Sequence, residues 1–96
     1  MTTKQPVDRD AWGRVKDLAL VLLTIEATNH EKTPCRIAEY IILLYGQGNS
    51  IADALNTAEQ QLLAAGHNEF VIADGKALGC TVLEKAVRSI NGTSQK

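Results

Sequence analysis

A mainly helical fold of four helices, with one short β-hairpin before the last helix, is the architecture that this sequence predicts. Apolar residues recur three and four positions apart along four segments, which gives each predicted helix one apolar face. The pair Asp74-Gly75 follows the β-prone run 70–73, a pattern typical of a type I′ hairpin turn. With 96 residues the chain can build one core. We expect a single domain over 8–91, with flexible termini at 1–7 and 92–96.

The first predicted helix follows Asp8 or Asp10, because either carboxylate can accept hydrogen bonds from the first free amides of a helix. We expect it to end near residues 28–29. Its apolar residues, spaced by three and four, are Trp12, Val15, Ala19, Leu22 and Ile25.

The second predicted helix has Thr33 as its N-cap and Pro34 at its first position, where a missing N–H costs nothing. It continues over residues 35–45 and stops at Gly46, which we expect to adopt the left-handed conformation of a helix end. Its only charged residue after Ile37 is Glu39.

Ser50 followed by Asp53 resembles a capping box and predicts a third helix over residues 51–65 that stops at Gly66. One side of this helix is expected to face the core. The residues on that side are Ile51, Leu55, Ala58 and Leu62.

The hairpin is expected over residues 69–79, with Asp74-Gly75 at its tip. Thr81 and Glu84 then form a second capping box, which opens a last helix that ends at Asn91-Gly92. The inward residues of this helix are Val82, Leu83, Ala86, Val87 and Ile90.

Two of these helices have little polar surface for a small monomer. The run Leu18–Ile25 is apolar on nearly every face, as is the second helix, and a helix that is apolar all round must be covered all round. A homodimer would cover the surplus, whereas the alternative is a compact monomer with the second helix at its centre. The residues that we expect in the dimer interface are Leu20, Leu22, Tyr40, Ile42 and Leu43.

Catalytic and metal-binding patterns are weak in this chain. No G-x-S-x-G motif and no Gly-rich phosphate loop are present. His30 and His67 fall in predicted loops; with Cys35 and Cys80 they would supply two imidazoles and two thiols, a set that zinc accepts. Their spacing matches no compact zinc motif, and buried thiols are the simpler interpretation. We therefore expect no enzymatic activity, no cofactor and no metal.

The sequence predicts a cytoplasmic protein. The apolar run Leu18–Ile25 has eight residues, well short of the roughly 20 residues that cross a bilayer. Met1–Pro6 is not followed by the apolar segment of a secretory signal.

The order helix, helix, turn, helix, hairpin, helix resembles the winged helix-turn-helix of bacterial regulators of the MarR and PadR families. The resemblance covers residues 33–90 and implies a DNA-binding transcriptional regulator, in which Asn56, Gln60 and Gln61 of the third helix could contact adenine edges. The segments that carry it are 37–39, 62–66, 74–76 and 82–86.

The charge distribution argues against DNA binding. From Ile37 to Gly75 the chain has five carboxylates and no Lys or Arg, a formal charge of −5. Those families place cations on the recognition helix and wing, but here residues 50–66 have none and the wing has only Lys76. Affinity for DNA depends on Lys and Arg that neutralise phosphates, so this surface lacks the main source of binding energy.

The favoured hypothesis is a non-enzymatic regulatory or inhibitory protein that acts by binding another protein. Its size and lack of catalytic motifs are those of accessory proteins of phages and mobile elements. A winged-helix DNA-binding regulator is the alternative. We expect the partner to dock on the acidic, amide-rich face of the third helix and on the hairpin tip. The alternative is that this face of the third helix is a solvated surface that binds nothing. The predicted contact residues are Asp53, Asn56, Glu59, Gln60 and Asp74.

Overall fold

A computed structural model describes the backbone of residues 9–95 and the side chains of residues 12–90. Within this range the chain forms four α-helices, and a 3₁₀ turn at Ala27–Asn29 joins the first two. The helices are α1 at Arg9–Glu26, α2 at Lys32–Gly46, α3 at Ile51–Ala64 and α4 at Glu69–Gln95. The prediction of four helices is confirmed, and that of a β-hairpin is wrong, because residues 9–95 contain no strand.

The segment predicted as a hairpin is the beginning of α4. Asn68 caps this helix, because its side-chain Oδ1 accepts a hydrogen bond from the amide of Phe70 at 2.7 Å and its carbonyl accepts one from Ile72 at 3.0 Å. Gly75 is helical. Thr81, predicted to cap a separate last helix, therefore lies inside α4, and the helix continues past the predicted stop at residues 91–92.

Two glycines allow α4 to approach α2 closely. A Cβ atom added to Gly75 would lie 2.3 Å from Cγ2 of Ile37, and one added to Gly79 would lie 3.4 Å from Cα of Ala38. The later glycine of α4 lies against the later residue of α2, so the two helices run parallel. The glycines are four residues apart and share one face of α4. Residue 75 is therefore a glycine because a side chain would not fit between the helices, and not because the backbone makes a turn there.

α1 and α3 pack on opposite sides of the α2–α4 pair and run antiparallel to it. On one side Trp12 of α1 stacks on Tyr45 at the end of α2, with 4.6 Å between ring centroids, and its Nε1 donates to the Tyr45 carbonyl. On the other side Lys76 of α4 pairs with Glu59 of α3. Direct contact between α2 and α4 flattens the bundle to 41 × 29 × 14 Å.

The core receives side chains from all four helices. Its largest fully buried members are Ile41, Ile42, Ile72, Val82 and Leu83. α1 contributes Val15, Ala19 and Leu23. Of the other apolar residues spaced by three and four along this helix, Ile25 is 62% exposed and Leu22 is only half-buried.

The predicted ends of α3 are confirmed. Oγ of Ser50 accepts a hydrogen bond from the amide of Asp53 at 3.1 Å. Gly66 has φ +93°, and the amide of His67 donates to the carbonyl of Leu62, the bond of a Schellman motif. Both ends of α3 are thus fixed by local chemistry.

The predicted ends of α2 are shifted. Glu31 is the N-cap and gives no side-chain hydrogen bond, so Thr33 and Pro34 are the second and third helical residues. Pro34 remains in the first turn, where its missing N–H is tolerated. Gly46 is the last helical residue, and Gly48 has the positive φ, +109°.

The predicted N-terminal segment 1–7, the predicted cap Asp8 and the last residue Lys96 lie outside the described residues, as does the side chain of Asp10. Within residues 9–95, no helix has both the length and the apolar character needed to span a membrane.

Candidate functional site

The outward face of α3 carries three of the five residues predicted to bind a partner. Asp53, Asn56 and Gln60 are exposed and recur three and four residues apart, on the side opposite the buried Ala54 and Ala58. Among the side chains described here, none of these three is held by a hydrogen bond or an ion pair. They are free to contact another molecule.

Glu59 lies at the edge of this face and is already paired. Its Oε1 is 2.5 Å from Nζ of Lys76, and the two side chains are 40% and 29% exposed. The pair joins α3 to α4 and balances the carboxylate charge. Glu59 therefore serves the packing of α3 and is less available to a partner than the other three residues.

Asp74 lies apart from the α3 residues. It lines a cleft of about 570 Å³ together with Glu26 and Glu31, which belong to the region where α1 meets α2. Lys76, two residues later, faces α3, and two residues rotate a helix by roughly 200°. Asp74 was expected beside α3 only because a hairpin tip would have projected there.

Sequence reasoning missed Leu63 on the same side of α3. It follows Asn56 by seven residues and Gln60 by three, and 45% of its surface is exposed. Its neighbour Leu62 is half-buried and faces the core, so helical spacing was the available signal. We call the stripe of Asp53, Asn56, Gln60 and Leu63 the α3 face.

The residues predicted for a dimer interface do not share one surface. Ile42 has 0% of its surface exposed and is a core residue, because it lies on the side of α2 that the other helices cover. Leu43 is 42% exposed on α2, and Tyr40 donates a hydrogen bond to α3. Leu20 lines a cleft between α1 and α2, whereas Leu22 is half-buried elsewhere on α1. The assignment of Ile42 to an exposed interface is thus corrected.

The four residues considered for zinc do not come together. His30 and Cys35 line the cleft of about 450 Å³ between α1 and α2. His67 lies in the turn before α4, and Cys80 lies within α4. Across the part of the chain that the structure describes, no three His, Cys, Asp or Glu side chains are arranged to hold a metal ion.

Cys80 is a half-buried thiol beside Glu84. Burial, and after it the charge and the hydrogen bond of Glu84, raise the pKa of the Cys80 thiol. The thiolate is the reactive form, so this environment favours an unreactive structural cysteine.

Replacing Glu84 with glutamine is expected to accelerate alkylation of Cys80 at mildly alkaline pH. The change removes the neighbouring negative charge, lowers the pKa of the thiol and raises the reactive thiolate fraction, so the rate should rise roughly twofold or more. Mass spectrometry of iodoacetamide labelling measures the rate, with Cys35 of the same molecule as the internal control. Equal Cys80 rates in both proteins would leave burial as the only cause of the raised pKa.

The wing expected from the resemblance to winged helix-turn-helix regulators is absent from residues 9–95. α2 and α3 are joined by a turn at residues 47–50, but the wing segment 74–76 belongs to α4. Lys76, the one cation predicted on the wing, is paired with Glu59. No family model, no curated protein and no solved structure matches this chain.

Proposed function

We propose that this chain is a non-enzymatic regulatory or inhibitory protein that binds another protein through the α3 face. The observation that carries the proposal is that Asp53, Asn56, Gln60 and Leu63 form one exposed stripe on a helix with both ends capped. Such a helix, packed against two neighbours, presents its side chains at fixed spacing. Fixed spacing lowers the conformational entropy that binding must remove.

The chemistry of the α3 face defines the partner surface that would fit it. Leu63 would fill an apolar pocket, and a central buried anchor of this kind supplies most of the energy of many interfaces. Asn56 and Gln60 both donate and accept hydrogen bonds, which fixes the register. Asp53 is the only charged member, so a Lys or Arg opposite it would be complementary.

A photo-reactive amino acid at Gln60 tests this proposal in living cells. We expect it to give a discrete protein adduct, whereas the same amino acid at Arg88, which is exposed on α4, should not. Adding Leu63→Asp to the Gln60 protein should abolish the adduct without unfolding the chain, since Leu63 is 45% exposed. The same adducts from both positions, or none from Gln60, would contradict a role for the α3 face.

DNA binding is the competing function, and salt dependence separates it from protein binding. The α3 face has one carboxylate and no cation, so we expect no binding to duplex DNA at about 50 mM salt. Micromolar binding that weakens steeply between roughly 50 and 200 mM salt would instead favour the winged-helix regulator.

We also propose that the protein acts as a homodimer. Monomers rarely leave large apolar patches exposed, and a second copy is one way to cover them. Val21 and Ile25, four residues apart on α1, are exposed apolar side chains that a second copy would cover.

A further inference from the structure

One side of α1 carries an apolar stripe that the core covers only in part. Its residues are Leu18, Val21, Leu22 and Ile25, spaced by three and four along one side of the helix. Val21 is 57% exposed and Ile25 62% exposed, while Leu18 and Leu22 are half-buried at its edge. We call these four residues the α1 stripe.

We infer that the α1 stripe is the contact between two copies of this chain, which pack their α1 helices antiparallel about a two-fold axis. This inference rests on the proposed homodimer and specifies its surface.

The spacing of the stripe suits a two-fold axis. Its centre lies between Val21 and Leu22, so an axis at that point sets Leu18 opposite the partner's Ile25 and Val21 opposite the partner's Leu22. Every apolar side chain then meets another one. The contact uses the same surface of both copies and closes after two, which is the usual symmetry of homodimers.

The charges beside the stripe favour the antiparallel arrangement. Arg14 and Asp17 are exposed near the N-terminal end of the stripe. A parallel pair would place Arg14 of one copy level with Arg14 of the other, and such a like-charge contact is unfavourable. In the antiparallel pair Arg14 approaches the C-terminal end of the partner's α1, where the negative end of the helix dipole attracts a cation.

Glu26 does not disturb this arrangement, although in sequence it is level with Asp17 of the other copy. It lies on the far side of α1, where one carboxylate oxygen is 3.8 Å from Nζ of Lys85 and the other is 3.8 Å from Nε2 of His30. The negative charges of Asp17 and Glu26 are thus separated by the width of a helix.

The size of α1 limits the strength of the contact. Its 18 residues form a rod of about 27 Å, and the α1 stripe spans less than half of it, so the contact belongs with the small, transient interfaces of less than about 1,200 Å². We therefore expect a dissociation constant in the micromolar range and a dimer that dissociates on dilution.

Sedimentation equilibrium tests the inference on the whole chain. The mass should rise with concentration from 10.4 kDa towards twice that value. Val21→Glu and Ile25→Glu should remain monomeric with unchanged circular dichroism, because both side chains are exposed. Phe70→Glu is the matched control: Phe70 is 73% exposed on α4, so this variant should dimerise like the unmodified chain.

Disulfide trapping tests the orientation in a chain whose Cys35 and Cys80 are replaced by serine. Mixed Leu18→Cys and Ile25→Cys proteins should form a heterodisulfide faster than either protein forms a disulfide with itself. Preferential self-pairing of Leu18→Cys would overturn the antiparallel arrangement. A mass of 10.4 kDa at every concentration, or dissociation by Phe70→Glu and not by Val21→Glu, would overturn the interface.

Failure of the dimer can be distinguished from failure of the proposed protein-binding function. The α3 face lies on the opposite side of the α2–α4 pair from α1. Val21→Glu should therefore leave the Gln60 photo-adduct unchanged, so loss of the dimer and loss of the adduct are separate results.

Discussion

Replacing Ile42 with aspartate is expected to abolish folding. Ile42 has no exposed surface and lies on α2, which contacts the three other helices. An unpaired carboxylate at such a site, added to the loss of a buried aliphatic side chain, costs about 5 kcal/mol or more. The total stability of a small domain is about 5–15 kcal/mol. We therefore expect the far-ultraviolet circular dichroism of the variant to lose most of its helical signal.

Leu43→Asp is the matched control for this prediction. It introduces the same charge one residue later, but Leu43 is 42% exposed, so its cost should be about 1 kcal/mol or less and the protein should stay folded. The sequence predicted Ile42 in a dimer interface. If that assignment were right, the Ile42→Asp protein would stay folded and would only lose its ability to dimerise. An Ile42→Asp protein that folds and differs only in being monomeric would contradict the burial of Ile42 in the core.

The helices could be predicted where capping and periodicity agree. At α3, Ser50 and Gly66 specify the two ends, and the spacing of apolar residues by three and four positions specifies the buried side. At α1 the periodicity is ambiguous, because the run Leu18–Ile25 is apolar at nearly every position. The sequence indicated that α1 has a surplus of apolar surface, but the face left uncovered depends on where α2 and α4 pack.

The candidate site was predictable to the extent that it lies on one helix. Asp53, Asn56 and Gln60 share a face of α3 through helical spacing alone, and the structure keeps them together. To place Asp74 beside these residues required a prediction of tertiary structure, and that prediction depended on the hairpin. Glu59 was placed correctly on α3, but its pairing with Lys76 is a contact between helices that no local pattern reveals.

The hairpin prediction failed because Asp74-Gly75 has two possible explanations. Glycine inside a helix is about 1 kcal/mol less favourable than alanine, so a local interpretation of the sequence prefers a turn. The reason for glycine here is Ile37, a residue distant in sequence whose side chain occupies the space that a Cβ atom would need.

Gly75→Ala is therefore expected to lower the free energy of unfolding by about 1–3 kcal/mol, the cost of overpacking a core. The added Cβ atom would lie 2.3 Å from Cγ2 of Ile37 and 3.2 Å from the carbonyl oxygen of Pro34, so α2 and α4 would have to separate. For a domain of this size each kcal/mol lowers the melting temperature by about 4–8 °C. Thermal denaturation followed by circular dichroism measures the change.

Gly13→Ala in α1 is the matched control, because no neighbouring heavy atom lies within 4 Å of its added Cβ atom. Helix propensity alone then acts, and the variant should be more stable by about 0.5–1 kcal/mol. The effect of a Gly→Ala substitution on stability is thus expected to have opposite signs in the two helices, and stabilisation by Gly75→Ala would contradict the close contact of α2 with α4.

Gly75→Asn separates the two explanations of residue 75. A turn with positive φ accepts asparagine nearly as well as glycine, whereas the contact with Ile37 should make asparagine more destabilising than alanine, because it is larger.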